Sequence, residues 1–151
     1  MSAKIAIVLG SKNDLAQLEE GLKILKKLKI DCCLEVISAH RNPEKLRKFS
    51  QELNKKGFKV VIACAGMACA LPGFIASYTD IPVIGVALKG GILDGLDALF
   101  AIVSIPRGIG LSSTGIGKSA FLNAIIFSLE ILSLSDKQYQ PKLRKIKEMF
   151  K

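Results

Sequence analysis

Tryptophan is absent, tyrosine occurs twice, and His40 is the only imidazole in the 151-residue chain. So few aromatics leave no stacking platform for exposed bases, which argues against a single-stranded nucleic-acid binder. The four cysteines are Cys32, Cys33, Cys64 and Cys69, with no C-x-x-C pair among them. With one histidine to complement them, a zinc site is not expected. They read as small apolar residues in a reducing compartment. No G-x-G-x-x-G follows the first apolar run, and "GIGLSSTGIGK" lacks the spacing of a Walker phosphate loop, so that segment reads as a structural turn. The N-terminal apolar run, Ile5 to Leu9, is too short for a signal peptide or a membrane span. The longest apolar region, "AFLNAIIFSLEILSL", contains Asn123 and Glu130 and reads as a buried helix rather than a lipid contact. A soluble, cytoplasmic protein with no membrane partner is the expectation.

What the chain does have is apolar residues and positive charge. Half the residues are hydrophobic and the mean hydropathy is +0.37, enough for one continuous core. The length suits a single domain over residues 1–151, with a helical tail from about 135. The formal charge is +9. Such a balance suits nucleic acid or a small anion. The lysines fall in "KILKKLK", "KLRKF", "NKKGFK" and "KLRKIKEMFK", which read as solvated helix faces and a basic tail. No nucleic-acid partner is expected.

Strand and helix patterns alternate. "KIAIVLG", "DCCLEVIS", "KVVIACAG" and "IPVIGVAL" read as strands, the apolar ones buried on both faces. Between them, "SKNDLAQLEEGLKILKKLKI" carries leucines at 15, 18, 22, 25 and 28, predicting one helix capped by Ser11 or Asn13. "NPEKLRKFSQELNKKG" predicts a second helix, with Pro43 in its first turn and Gly57 past its end. "ALPGFIASYT" predicts a short third one. Further on come a glycine-rich loop, a helix from about Leu93 to Val103, a last short strand within "GIGLSSTGIG", and a buried helix over "SAFLNAIIFSLEILS". Pro141 can start a final helix. The helix from Ser119 to Leu132 is too apolar to face solvent all round, so part of it is expected to be covered, with a contact between subunits as the expected cover. Alternating strands and helices predict an α/β fold with a central parallel sheet covered on both faces.

In such folds ligands bind beyond the carboxyl ends of the strands. The four segments found there are "GSKND", "SAHRNP", "AGMACALPG" and "ALKGG". Ser11 and Ser38 offer hydroxyls, Arg41 a bidentate fork for phosphate, and Asp14 an acceptor for a sugar hydroxyl. A phosphorylated ribose matches that set. His40, between Ser38 and Arg41, is the natural proton carrier, because imidazole ordinarily titrates near neutrality.

"GSKNDL", "VISAHRNPEKL", "AGMACALPGFIASYTDIPVIGV" and "LDGLDALFAIVSIPRGIGLSSTGIGKSAFLNAI" together resemble the PurE family of de novo purine biosynthesis, in order and through nearly the whole chain. The resemblance implies a flavodoxin-like three-layer sandwich and a homo-octamer. It also implies an isomerase that moves the carboxylate of N5-carboxyaminoimidazole ribonucleotide from N5 to C4, with no metal and no organic cofactor. It implies His40 as general acid and base, and Ser11, Asp14 and Arg41 at the ribose phosphate with Ser38 lining the site. The small-residue segment holding Ala65, Gly66, Met67, Ala70 and Leu71 would shape the carboxylate pocket. One position departs: bacterial mutases of the family carry a second histidine before Leu-Pro-Gly, where this chain has Ala70. Class II carboxylases also lack that histidine, but their S-N-A-L-S-G and S-A-H-K differ from Pro72 and Arg41 here. The alternatives are such a carboxylase, using carbon dioxide directly, and a non-enzymatic nucleotide-binding relative. "AGMACALP" also echoes the carboxylase-like domain of nickel-pincer cofactor biosynthesis, a longer protein.

Overall fold

The computed structural model describes residues 3–151. Strands β1 (Ile5–Leu9), β2 (Cys32–Val36), β3 (Val60–Ala65), β4 (Val83–Ala87) and β5 (Ser112–Ile116) form one parallel sheet in the order β2-β1-β3-β4-β5. The strand period of two separates the core into two layers. Ile5, Ile7 and Leu9 enter one cluster with Val60, Ile62, Ile84 and Val86. Ala6 and Val8 enter the other with Val61, Ala63, Ala65 and Val83. The first cluster is closed by α1 (Glu19–Lys27), α5 (Gly117–Ser135) and α6 (Tyr139–Glu148), the second by α2 (Pro43–Glu52), α3 (Leu71–Ser77) and α4 (Leu96–Val103). This is the flavodoxin-like three-layer arrangement. Its strand order reverses direction between β1 and β3, which opens a crevice at their carboxyl ends.

Two glycines set how closely helices approach. A Cβ at Gly21 of α1 would lie 2.5 Å from the Phe121 ring of α5, and one at Gly85 of β4 would lie 2.7 Å from Ile102 of α4. Both contacts are closer than real Cβ atoms tolerate, so glycine is what permits the packing.

The structure departs from the expected elements in three places. The helix expected from Ser11 is broken: Lys12–Gln17 is a 3₁₀ helix, and the α-helix begins at Glu19. Ser11 caps the 3₁₀ segment by accepting the Asn13 N–H at 3.3 Å. The helix expected from about Leu93 begins at Leu96, because Asp94 (φ 47°) and Gly95 (φ 98°) are left-handed and cannot propagate a right-handed helix. The final helix begins at Tyr139, with Pro141 inside its first turn, where a missing N–H is not needed.

The apolar stretch Ser119 to Leu132 lies inside α5. Phe121, Ile125, Leu129 and Leu132 are buried within the chain's own first layer. α5 is 19 residues long with a mean hydropathy of 1.3 over its most apolar window, long and apolar enough to cross a membrane, yet half of that window is buried in the fold. The tail helix α6 folds back on α5 with Ile146 fully buried, and Lys142 Nζ donates to the Lys29 carbonyl at 2.6 Å. Large apolar side chains are exposed around α4, where Ile92 is 99% exposed, Val103 61% and Phe100 56%, and also on α5 at Phe127 and Leu134.

Candidate active site

Each strand end on the crevice contributes one segment, and each is shaped by a local backbone device. After β1, the Gly10 N–H donates to the Cys64 carbonyl at 3.1 Å, holding the turn against β3. The 3₁₀ helix that follows has three residues per turn, so side chains three apart eclipse. Asp14 and Gln17 therefore share one side. Asp14 lines the crevice, while Gln17 grips the segment after β4: its Nε2 donates to the Lys89 carbonyl at 2.9 Å and its Oε1 accepts the Lys89 N–H at 2.8 Å.

After β2, the Ile37 N–H still pairs with the Leu9 carbonyl at 2.9 Å. The chain then turns around Ser38, whose Oγ accepts the Arg41 N–H at 3.2 Å and whose carbonyl accepts the Asn42 N–H at 3.0 Å. That turn leaves His40 and Arg41 exposed at the mouth. After β3, Met67 adopts a left-handed backbone (φ 53°). The next residues curl tightly: the Cys69 N–H donates to the Met67 carbonyl at 2.9 Å and the Ala70 N–H to the Ala68 carbonyl at 2.7 Å. Leu71 then opens α3, with Pro72 in its first turn. After β4 come Lys89, Gly90 and Gly91, and the Gly90 N–H donates to Asp94 Oδ1 at 3.1 Å.

Together these segments enclose a cleft of about 510 Å³, a volume suited to a small-molecule ligand. All ten residues singled out from the sequence line it: His40, Ser11, Asp14, Ser38, Arg41, Ala65, Gly66, Met67, Ala70 and Leu71. The reading from sequence placed "ALKGG" and "AGMACALPG" at the strand ends but gave no role to Lys89, Gly90, Gly91 or Cys69, which also line the cleft. The signal for Lys89 was its place directly after β4. A wider depression of about 840 Å³ lies at the opposite ends of the strands, with Asp80 as its one charged lining residue. It lacks the convergence of ionisable groups found in the cleft.

Burial decides the electrostatics of the floor. Desolvation pushes the Asp14 carboxyl above the ordinary carboxylate range. It pushes the Cys69 thiol up to about 12 and that of fully buried Cys64 well above the usual thiol value. Both sulfurs are therefore neutral at ordinary pH and supply neither a nucleophile nor a base. Among the described residues no group of three or more His, Cys, Asp or Glu side chains is arranged to hold a metal ion.

A family profile described as AIR carboxylase matches residues 4–151. The chain is 42% identical over 147 residues to the N5-carboxyaminoimidazole ribonucleotide mutase of Haemophilus influenzae, covering 97% of this chain and 90% of that one. It is 41% identical over 141 residues to the mutase of the same name in Escherichia coli K12, covering 93% and 83%. A Candida albicans phosphoribosylaminoimidazole carboxylase is 40% identical over 138 residues, which is 91% of this chain and 24% of that longer one. The crystal structure of Treponema denticola PurE superposes with a TM-score of 0.80 at 25% identity, covering 96% of this chain and 89% of that one. With its fold and nearly its whole length in agreement, the chain belongs to the AIR carboxylase, or PurE, family.

Proposed function

We propose that the protein is an N5-carboxyaminoimidazole ribonucleotide mutase, an isomerase of purine biosynthesis that converts this substrate to 4-carboxy-5-aminoimidazole ribonucleotide. The observation that carries this reading is the convergence of His40, Ser38, Arg41 and Asp14 on one cleft, in a chain similar over its length to proteins of that name. Arg41 and Ser11 take the phosphate, Asp14 accepts from a ribose hydroxyl, and Ser38 holds the turn that presents His40. The small side chains from Ala65 to Ala70 leave the backbone open to the carboxylate, and Leu71 closes the floor.

The reaction then balances on one proton. The N5–carboxyl bond breaks, its electron pair stays on N5, and N5 takes a proton from His40. Carbon dioxide stays in the cleft. The C4 π pair attacks its carbon, and the proton displaced from C4 returns to His40. No cofactor enters this sequence. Ala70 stands where bacterial relatives carry a second histidine, so His40 works alone.

Exposed Leu96, Phe100 and Val103 on one face of α4, with Ile92 and Leu93 beside them, support a homo-oligomer, the octamer of the family resemblance. A monomeric mass by light scattering would contradict it. Four unpaired cysteines suit the cytoplasm. The deciding assay compares substrates. Turnover of the N5-carboxylated nucleotide without added bicarbonate is expected. Activity only with aminoimidazole ribonucleotide and high bicarbonate would identify the class II carboxylase instead, and inertness toward both would leave a nucleotide-binding relative.

A further inference from the structure

Two cationic residues line the cleft, and they stand on opposite sides of it; the flexible stem of Lys89 rests over Gly117 at the start of α5. Arg41 follows β2 and Lys89 follows β4, with β1 and β3 between them. At about 4.8 Å per strand, the two backbone stations are about 14 Å apart. Lys89 lies beyond the last residue of β4, so sheet pairing does not hold it, and Gly90 (φ 130°) and Gly91 (φ 71°) follow it. Its position comes from Gln17, 72 residues away, whose side-chain amide satisfies both the Lys89 N–H and its carbonyl. The same stretch is tied to the small-residue segment after β3. The Leu88 N–H donates to the Ala65 carbonyl at 2.9 Å, and Gly66 passes so close to the Leu88 carbonyl that a Cβ there would lie 3.3 Å from its oxygen.

We propose that Lys89 contacts the substrate and holds the migrating carboxylate on the β3–β4 side of the cleft, with Gln17 as the positioning residue that fixes its backbone. This rests on the mutase reading. The substrate has two anionic ends, a phosphate and a carboxylate, and the cleft has two cationic stations. The planar fork of Arg41 suits a phosphate held still, whereas an ammonium on a flexible stem follows a group that moves between two atoms. The segment from Ala65 to Ala70 has no charged side chain of its own. Once the N5 bond breaks, the carbon dioxide is neutral, and the ammonium retains it through its bond dipoles and stabilises the carboxylate as it re-forms on C4. Lys89 exchanges no proton in this sequence; the proton cycle stays with His40.

The test measures how each substrate molecule is partitioned between the C4-carboxylated product and free aminoimidazole ribonucleotide plus carbon dioxide. Lys89→Met is expected to lower kcat about 10- to 100-fold and to raise the share lost as carbon dioxide. Lys89→Arg restores part of the coupling. Gln17→Leu shifts the partition in the same direction as Lys89→Met at unchanged Tm. Wild-type kcat and partition in Lys89→Met overturn the proposal, as does a lowered Tm with unchanged partition. Calorimetric binding keeps the two readings separable. The wild type should bind the C4-carboxylated nucleotide more tightly than aminoimidazole ribonucleotide, and Lys89→Met should erase that difference. A wild type that binds with this preference but turns nothing over refutes the mutase reading alone. Equal preference in wild type and variant refutes the role of Lys89 alone.

Discussion

Replacing His40 by asparagine separates chemistry from folding. His40 is exposed, and the turn that presents it is held by the Ser38 hydroxyl and carbonyl through the backbone N–H groups of Arg41 and Asn42, not by the imidazole. An exposed side chain of this kind contributes within about 0.5 kcal/mol of stability, so Tm should be unchanged within about 2 °C. Asparagine keeps a polar planar group of similar reach but cannot carry a proton. A positioned acid or base is worth about 10²- to 10⁴-fold in rate, which at 1.36 kcal/mol per decade is about 3–5 kcal/mol of transition-state stabilisation. In this scheme one imidazole serves both proton transfers, so the upper end of that range is expected. The assay is kcat on the N5-carboxylated nucleotide beside calorimetric binding of the C4-carboxylated product and a thermal melt. Loss of about three to four decades in kcat with binding and Tm retained is the expected outcome. Turnover within about tenfold of wild type would refute the acid and base assignment. A collapsed melt would show that the turn depends on the imidazole after all.

Two further substitutions probe the frame and the floor. Gly21→Ala puts a Cβ 2.5 Å from the Phe121 ring and 2.9 Å from Ile125. Overpacking of that kind costs about 1–3 kcal/mol, partly offset by about 1 kcal/mol of helix propensity, so a thermal melt should fall by several degrees, and an unchanged or raised Tm would show that α1 and α5 can part cheaply. Asp14→Asn should do the reverse for stability. Burial raises the Asp14 pKa in the folded protein above its unfolded value, so the folded state binds more protons there, and stability falls as pH rises from the ordinary carboxylate range through the raised folded pKa. Removing the ionisable group should flatten that part of the pH–stability curve and raise Tm slightly at neutral pH while weakening substrate binding. A steeper acid-side curve in the variant would reverse the sign of the argument.

The parts of the fold legible in the sequence were those whose burial is uniform. Ile5 to Leu9 and Val60 to Ala65 are apolar throughout because both faces of a central parallel strand are covered. The side of the sheet that holds the crevice was legible too, since ligands in such sheets bind beyond the carboxyl ends of the strands. What stayed hidden depended on partners distant in sequence. The leucine spacing from 15 to 28 fits one helix, but Gln17 is committed to the backbone of Lys89, and the tighter 3₁₀ turn brings Asp14 onto the same side. Nothing local announces that bond. Lys89 itself was visible at a strand end, yet looked like one more lysine in a chain of charge +9. The apolar helix was read correctly as apolar; the sheet with α1 and α6 covers half of its most apolar window, while Phe127 and Leu134 on it stay exposed, as do Leu96, Phe100 and Val103 on α4.

The floor of the cleft constrains the chemistry further than the mouth does. A mutase must protonate N5 and deprotonate C4, and two separate groups would be the simplest way to arrange it. The candidates for a second group are those lining the cleft. Cys69 is held at about 12 by burial and stays protonated at neutral pH, so it cannot take the C4 proton. Cys64, behind it, is also pushed well above the usual thiol value by burial. Ala70 has no ionisable group. Asp14, whose charge reaches both Cys64 and Cys69, is assigned to the sugar, and its use as an acceptor there needs it unprotonated. With Lys89 assigned to the carboxylate, that leaves one imidazole to give a proton at N5 and take one at C4, which is possible because the two demands come in sequence: donation leaves His40 neutral, in the state needed for the abstraction that follows. The interval between them is the lifetime of free carbon dioxide in the cleft. A single proton carrier therefore makes retention of that molecule the vulnerable step, and it is for this step that the second cationic residue, its backbone clamped at the far side of the cleft by Gln17, has a chemical use.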